Sequence, residues 1–341
     1  MLSCSTESIV PNIGQIVGRT QKNSDLAIST YNNLAPFIQY FEHKGWDWQT
    51  IATECELPSL TSDSTHRLVS ESLMLFISKM AKLYDSNLGF NVASHVTVND
   101  LPQCISTNIK NSHDLNTFIN GLLPAVKMLS NHVSAWVEYI DGRYFICHKG
   151  YFSPSTSGQM HVEQYRTISL IRMLQSYIGD NWKPDIIWMN NNSTDKSKAF
   201  ELFFPEPDII QGNKSFGAIS LPEGFFYQSA LPQTEMPSWN LEKVIASYAL
   251  LPQFTIRWFA NLVNMSPRTI QRILDKQSTK FIDIRDKVRR EHAIYLLTTQ
   301  INKTIEDIAF ACGYNDVANF NRAFKRWESM TAAQYRDRAT H

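Results

Sequence analysis

The sequence lacks the patterns that mark the commonest enzyme and membrane-protein classes. None of G-x-S-x-G, G-x-x-x-x-G-K-[ST] and G-x-G-x-x-G occurs in its 341 residues, so the usual hydrolase, phosphate-loop and dinucleotide signatures are absent. The apolar run at residues 73–77 has five residues, whereas roughly 18 are needed to cross a bilayer. The N-terminus has no basic flank and no long apolar stretch, so we expect neither a signal peptide nor a membrane partner.

Cysteine is scarce and scattered. The five cysteines include no C-x-x-C pair, and none of the nine histidines stands three to five residues from another, so a local zinc signature is missing. We therefore expect reduced thiols in a cytoplasmic protein with no metal and no cofactor, while a site assembled from distant histidines and cysteines stays open. The cysteines are Cys4, Cys55, Cys104, Cys147 and Cys312.

The charge is distributed unevenly along the chain. Apolar residues make up 43%, enough to bury real cores, and the length suggests about two domains. The net charge is zero, but residues 241–341 hold 16 basic and 10 acidic side chains, which puts them at +6 and the first 240 residues at −6. A basic region of this size often meets a polyanion such as nucleic acid, with a solvated face as the alternative.

The first 230 residues mix helical and strand-like patterns. Residues 135–148 predict a β-hairpin that turns at Asp141-Gly142, because Asp-Gly between β-prone runs favours a two-residue turn. A buried strand is predicted at 185–189, and short strands with turns at 209–221. Apolar residues recur at helical spacing in residues 34–84, 112–129 and 162–178.

These patterns divide the chain into four segments. We expect an irregular N-terminal segment over residues 1–30, an α+β domain over 31–230, a linker over 231–239 and an all-α domain over 240–341. The linker has two prolines and no apolar period. Within the α+β domain, residues 190–198 predict a polar loop leading to a short helix.

The all-α domain contains an internal repeat. Residues 255–263 and 304–312 each begin with threonine, a good helix N-cap, and each places apolar residues at i, i+3, i+4 and i+7. A turn follows at Asn264 in the first copy and at Gly313 in the second, residue types that accept a left-handed conformation. A second amphipathic helix follows each turn. Each copy therefore predicts a helix-turn-helix, with a generic helical hairpin as the alternative.

The outward faces of the two second helices carry side chains suited to DNA. Arginine pairs bidentately with guanine, and asparagine or glutamine with adenine. We expect base contacts from Arg268, Thr269, Gln271, Arg272, Asn319, Asn321 and Arg322. Phosphate contacts, which fix register but carry no sequence information, are expected from Lys276, Lys280, Arg289, Arg290, Lys325 and Arg326. For Arg272 a solvated or phosphate-binding role is the alternative.

A long helix predicted over residues 281–299 separates the two copies. It would hold them at a fixed separation. One turn of duplex DNA is about 34 Å long, so two recognition helices on one face would enter successive major grooves.

These motifs resemble the DNA-binding domain of the AraC/XylS transcriptional regulators. The resemblance covers about residues 241–338 and implies a double helix-turn-helix domain that binds promoter DNA, with RNA polymerase as a further partner. Asn264 and Ser329 replace the usual turn glycines, and Ala332 replaces the usual proline. The resembling stretches are residues 265–274, 288–291, 305–314, 320–327 and 330–336.

The front domain resembles the sensing domain of the ornithine-utilisation type of AraC regulator. The resemblance implies an effector-binding domain that also forms a homodimer, and not a cupin barrel. The effector itself is unknown, and six aromatic residues are candidates either for its pocket or for the core. The resembling stretches are residues 88–90, 108–123 and 204–210 ahead of 213–221. The aromatic residues are Trp136, Tyr139, Tyr144, Phe145, Tyr165 and Trp188.

Three functions are compatible with these observations. The first is a transcriptional regulator that responds to a small molecule bound by the front domain. The second is a DNA-binding regulator with no effector, whose front domain only dimerises. The third is an enzyme with Cys147 and His148 in its active site, which the strand pattern disfavours because adjacent strand residues face opposite sides.

Overall fold

The computed structural model describes residues 26–58, 66–97, 100–189, 210–211, 215–230 and 239–339. The front part is mixed α and β, and the C-terminal part is helical. The front helices are α1 (Ala35–Lys44), α2 (Trp48–Glu54), α3 (Ser70–Tyr84), α4 (Leu88–His95), α5 (Gln103–Asn111), α6 (Leu115–Leu129) and α7 (Gln159–Ile178). The strands are β1 (Ile28–Thr30), β2 (Arg67–Val69), β3 (Val133–Ile140), β4 (Arg143–Gly150), β5 (Ile187–Trp188), β6 (Ile210–Gln211) and β7 (Gly217–Ser220).

A mixed sheet of five strands, in the order β3-β4-β7-β5-β6, forms the centre of the front part. The predicted hairpin is confirmed, because β3 and β4 pair antiparallel up to Ile140 opposite Arg143. Asp141 and Gly142 take φ values of 50° and 88°. Left-handed values at both turn positions match the twist of the flanking strands, which explains the preference for Asp-Gly here.

Helices α6 and α7 pack against this sheet. Ile146 and Ile219 of the sheet are fully buried in one apolar cluster with Phe118 of α6 and Leu174 of α7. Helices α1 to α4 form a second cluster beside it. The removal of these side chains from water is the main force that holds the layers together.

Two short strands correct the sequence-based expectations. Residues 1–30 were expected to be irregular and 34–84 helical, but β1 pairs antiparallel with β2, and Ser29 lies opposite Leu68. A strand of three residues is too short to show a period of two, and its partner lies far away in sequence. The expectations for residues 190–198, for most of 204–210 and for 231–238 fall outside the described residues.

The C-terminal part is built from helices alone in the range 239–339. Within the described residues, no helix has the length and apolar content that a membrane span requires. The predicted helix over residues 281–299 is confirmed with the same bounds. The helices are α8 (Leu241–Tyr248), α9 (Ile256–Leu262), α10 (Pro267–Lys276), α11 (Phe281–Thr299), α12 (Ile305–Ala311), α13 (Val317–Glu328) and α14 (Ala332–Ala339).

Helix starts in this part follow the predicted caps. The Thr255 hydroxyl accepts a hydrogen bond from the Trp258 backbone N–H (3.2 Å). Thr304 and Asp307 form a complete capping box. These bonds satisfy backbone donors that a helix leaves unpaired at its first turn, so the short helices α9 and α12 have well-defined beginnings.

The front and C-terminal parts meet at the β1–β2 ribbon. The Val69 backbone N–H donates to the Tyr248 hydroxyl (3.1 Å), and the Arg67 backbone N–H donates to Ser247 Oγ (2.8 Å). Ile28 and Val69 are buried in the same apolar cluster as Tyr248. Edge-strand N–H groups need partners, and here α8 supplies them.

Gly313→Ala is expected to lower the free energy of unfolding of the C-terminal part by more than about 2 kcal/mol. Gly313 has φ +74°, and an added Cβ would lie 2.5 Å from the Leu250 carbonyl oxygen; the left-handed conformation alone costs about 1–2 kcal/mol. Asn264→Ala is the matched control, because Asn264 is exposed with φ 50°. Urea unfolding followed by tryptophan fluorescence measures both, and equal losses would contradict the steric argument.

Candidate nucleic-acid interface and internal cavity

One face of α10 carries a row of exposed polar side chains. The helix buries Ile270 and Leu274 against the core. On its other side Arg268, Gln271 and Arg272 are all exposed, as the apolar spacing predicts. These side chains can therefore reach a partner without any rearrangement of the fold.

The cations of this face are not used by the fold. Within the described residues, no ion pair or side-chain hydrogen bond involves Arg268, Arg272, Lys276 or Lys280, and all four are exposed. The one acidic residue of α10 is Asp275. The face is positively charged on balance and can neutralise phosphates.

Thr269 is placed differently from its neighbours. It is half-buried, its backbone N–H donates to Ser266 Oγ (3.1 Å), and its own hydroxyl lies 2.8 Å from the same atom. Ser266 is the N-cap of α10. Thr269 thus takes part in the helix cap, so it contributes to the start of the helix.

The second helix pair, α12 and α13, ties its polar side chains to one another. The Asn319 backbone N–H donates to Asp316 Oδ1 (2.6 Å), and the Asn319 amide nitrogen donates to the other carboxylate oxygen of Asp316. Arg322 in turn donates to the Asn319 side-chain oxygen. The bond from the Asn319 backbone, more than any other contact, lowers the pKa of Asp316. A base would have to compete with these bonds to engage Asn319 or Arg322.

The other candidate residues of this region are used in several ways. Arg326 donates to Asp286 Oδ2 (2.7 Å), and Arg290 pairs with Glu328, so both link α13 to α11. Lys325 is exposed and makes no ion pair among the described residues, and Asn321 is half-buried. Lys325 therefore keeps a charge that no ion pair among the described residues compensates.

The expectation that Arg289 contacts phosphate is wrong. Arg289 is 5% exposed, and its guanidinium donates to the carbonyl oxygens of Ala249 (Nε, 2.8 Å) and Leu251 (Nη2, 3.0 Å). The apolar spacing in the sequence did not indicate that Arg289 is buried, because its burial depends on the packing of α11 against α8 along the face that carries this residue. A buried guanidinium hydrogen-bonded to carbonyls serves the fold and not a ligand.

Arg289 also contacts the turn of the second helix pair. Its Cζ lies 4.9 Å from the centre of the Tyr314 ring, and an added Cβ at Gly313 would be 2.8 Å from Arg289 Nη2. Cation–π contact with a desolvated arginine is favourable. One side chain of α11 therefore touches both the end of α8 and the turn between α12 and α13.

The front part contains a partly open cavity of about 130 Å³ between β1, α1, α3, α5, α6, β3 and α7. Most of its wall is apolar, including Phe37, Leu122 and Met173. Ser29 Oγ at the wall lies 3.0 Å from Ser70 Oγ and 3.2 Å from His132 Nε2. An apolar cavity with a few convergent polar groups is typical of a small-molecule site.

The charged groups at this cavity compensate one another. Arg166 lines it and donates to Glu163 Oε2 (3.0 Å). Burial, with a further contribution from the Arg166 charge, lowers the pKa of His132 to about 3. The same two causes lower the pKa of His148 well below its usual value. Both shifts favour the neutral imidazole, and the Arg166 charge at the wall is compensated by its ion pair with Glu163.

Cys147 and His148 lie on opposite faces of β4, as strand geometry requires. Cys147 is fully buried in an apolar cluster with Phe145 and Trp188, and burial raises the pKa of its thiol. His148 lies at the cavity, where Thr167 Oγ1 is 3.2 Å from its Nε2. The two side chains do not form a nucleophile–base pair.

Sequence reasoning missed most residues of the cavity wall. Of the six aromatic candidates, Tyr165 lines the cavity, whereas Phe145 stacks on Trp188 (4.5 Å between ring centroids) and Tyr139 is exposed. The wall is mainly aliphatic and comes from distant segments, as the pairing of Ser29 with Ser70 shows. No local pattern could have identified it.

The C-terminal part is similar to domains of known proteins. A family model described as a helix-turn-helix domain matches residues 259–338. Over 93 residues, 27% of this chain, the sequence is 31% identical to an uncharacterized HTH-type transcriptional regulator of Mycobacterium tuberculosis, covering 26% of that protein. Over 79 residues, 23% of this chain, it is 35% identical to the Ornithine utilization regulator of Pseudomonas aeruginosa, covering 23% of it. The matches span about a quarter of these relatives.

Among solved structures, the chain is similar to the crystal structure of the transcriptional regulator CdpR from Pseudomonas aeruginosa. The superposition covers 90% of this chain and 98% of that chain, with a TM-score of 0.40 and 16% sequence identity.

Arg289→Met is expected to lower the free energy of unfolding of the C-terminal part by more than about 2 kcal/mol, because it leaves the Ala249 and Leu251 carbonyls without their donors. Arg290→Met, which removes an exposed ion pair, is the control and should cost less than about 1 kcal/mol. Chemical unfolding measures both. A loss of DNA affinity by Arg289→Met at unchanged stability would restore the phosphate-contact hypothesis.

Proposed function

We propose that this chain, whose residues 259–338 form an AraC-type helix-turn-helix domain, is a cytoplasmic transcriptional regulator that binds promoter DNA in response to a small molecule. The observation that carries the proposal is the outward face of α10, where arginine, glutamine and lysine side chains are exposed and unpaired among the described residues. The proposed partners are double-stranded DNA, RNA polymerase, the effector and a second copy of the chain.

In this proposal, α9–α10 and α12–α13 are two helix-turn-helix modules joined by α11. The ion pairs from α11 to α13 and the bonds of Arg289 support a fixed arrangement of the two modules. Modules about one helical turn of DNA apart would enter successive major grooves, and one chain would then cover roughly two turns.

The two modules are proposed to differ in what they read. Arg268, Gln271 and Arg272 of the first module are free to contact base edges, which is what direct readout requires. In the second module Asn319 and Arg322 are bonded to each other and to Asp316, so phosphate contact is its main role. Lys276, Lys280 and Lys325 are proposed to contact phosphates.

The internal cavity is the proposed effector site. Ser29 and Ser70 line it, while their neighbours Ile28 and Val69 are buried against α8. A molecule that fills the cavity therefore contacts the same ribbon that docks on the DNA-binding part. It can act by shifting the population of a DNA-competent arrangement. The alternative, a front domain that only dimerises, gives this cavity no role.

Binding to promoter DNA is expected to weaken steeply with salt. The three proposed phosphate contacts Lys276, Lys280 and Lys325 predict a slope of log K against log salt of about −3, since each phosphate contact contributes about −0.9. The slope would reach about −4.5 if Arg268 and Arg272 also neutralised phosphates. Fluorescence anisotropy across a salt series measures the slope, and Lys280→Ala should reduce its magnitude by about one unit. A flat salt response would refute phosphate binding.

Arg272→Ala is expected to cost about 1–3 kcal/mol of binding free energy at the preferred site and to relax base preference at one position. Arg322→Ala, the equivalent change in the second module, is expected to weaken binding to all DNA sequences by more similar factors. Selection from a randomised DNA pool, followed by affinity measurement, compares the two variants. Uniform weakening by Arg272→Ala would refute base readout by the first module.

A further inference from the structure

We propose that the internal cavity selects a compact, uncharged and mostly apolar molecule carrying one hydroxyl or similar hydrogen-bonding group. The proposal rests on the effector role proposed above and names the chemical class of the effector. Three features of the cavity support it, namely its size, its charge balance and its cluster of hydroxyl groups.

The size of the cavity favours a small ligand. Its volume is about 130 Å³, which is close to the roughly 150 Å³ of an engineered apolar cavity that binds benzene, and below the roughly 300–1,000 Å³ of drug-sized sites. Phe37, Leu122, Leu129 and Met173 line it. A molecule of about the size of one substituted ring would fill it and gain contacts with the apolar wall.

The charge balance excludes ligands with a formal charge. Among the described residues that line the cavity, Arg166 is the one with a permanent charge, and Glu163 pairs with it at 3.0 Å. His132 and His148 line the same space, and burial together with the nearby Arg166 charge lowers the pKa of both. A ligand carboxylate would have to compete with Glu163 for the Arg166 guanidinium, and an ammonium group would meet the Arg166 charge at the wall. Either would lose its hydration without gaining an uncompensated partner.

A single polar cluster offers the place for a hydroxyl group. Ser29, Ser70 and His132 are joined by contacts of 3.0 and 3.2 Å, and His132 Nδ1 has no hydrogen-bond partner in the described part of the chain. A serine hydroxyl both donates and accepts and can rotate to suit a ligand. A ligand hydroxyl has the same versatility, so it fits either tautomer of His132.

The position of this polar cluster links ligand binding to the contact between the ribbon and α8. Ser29 belongs to β1, and Ser70 follows β2 directly. A ligand that hydrogen-bonds to these hydroxyls holds the ribbon at the point where it contacts α8. An apolar molecule without a hydroxyl group can fill the cavity, but it makes no hydrogen bond to the ribbon and restrains it less.

Four matched probes test the proposal with the full chain: benzyl alcohol, toluene, benzoate and benzylamine at pH 7. Isothermal titration calorimetry measures each affinity. Benzyl alcohol is expected to bind at least about tenfold more tightly than benzoate or benzylamine, and to compete with toluene for the same site. Benzoate or benzylamine binding as tightly as benzyl alcohol overturns the proposal. Absence of binding by all four also overturns it.

Ser29→Ala provides the matched variant. This substitution is expected to weaken the binding of benzyl alcohol severalfold and to leave the affinity for toluene unchanged, because only the alcohol hydrogen-bonds to the polar cluster. Equal effects on both ligands would overturn the assigned role of the hydroxyl. Competition between toluene and benzyl alcohol in the unmodified chain tests the shared site even if the variant folds poorly.

DNA binding measured in the same preparation separates this proposal from the proposed function. If DNA affinity depends steeply on salt but no probe binds, the proposed DNA-binding function is retained and the proposed ligand class is refuted. Probe binding that does not alter DNA affinity retains the cavity as a binding site but refutes its effector role.

Discussion

One buried guanidinium determines how the C-terminal part is assembled. Helix ends leave carbonyl groups unpaired, and Arg289 supplies donors to those of Ala249 and Leu251 just past the end of α8. The desolvation of a cation is costly, and here two carbonyls and the Tyr314 ring offset that cost. Because Arg289 belongs to α11, which connects the two helix pairs, the same bonds fix α8, α11 and the turn of the second pair relative to one another.

Helix α8 is therefore held from two directions. Its end is bonded to Arg289, and one of its faces receives the β1–β2 ribbon through Ser247 and Tyr248. The ribbon in turn forms part of the cavity wall. A change at the wall is thus one residue away from a buried contact with the helical part, which gives the proposed regulation a short and physically continuous route. The route requires no movement of the five-stranded sheet.

Local signals in the sequence predict the helical part well and the cavity poorly. Thr255, Thr304, Asn264 and Gly313 act through neighbouring residues, so their caps and turns could be predicted from the sequence alone. The exposed face of α10 follows from apolar spacing. The burial of Arg289, in contrast, depends on which helix packs above it, and the ribbon pairs residues from distant segments. Such features arise from tertiary contacts, which a period of 3.6 or 2 does not encode.

The buried contact between α8 and the β1–β2 ribbon also limits which sensing domains can be joined to the helical part of this chain. The relatives described above match this chain over about a quarter of its length. Here Tyr248 and Val244 are fully buried in a cluster that includes Ile28 and Val69 of the front part. A chimaera that joins this helical part to a different sensing domain would expose the apolar face of α8 to solvent. The new domain would have to supply a surface of complementary shape to bury that face. A working fusion would therefore keep the β1–β2 ribbon of this chain together with α8.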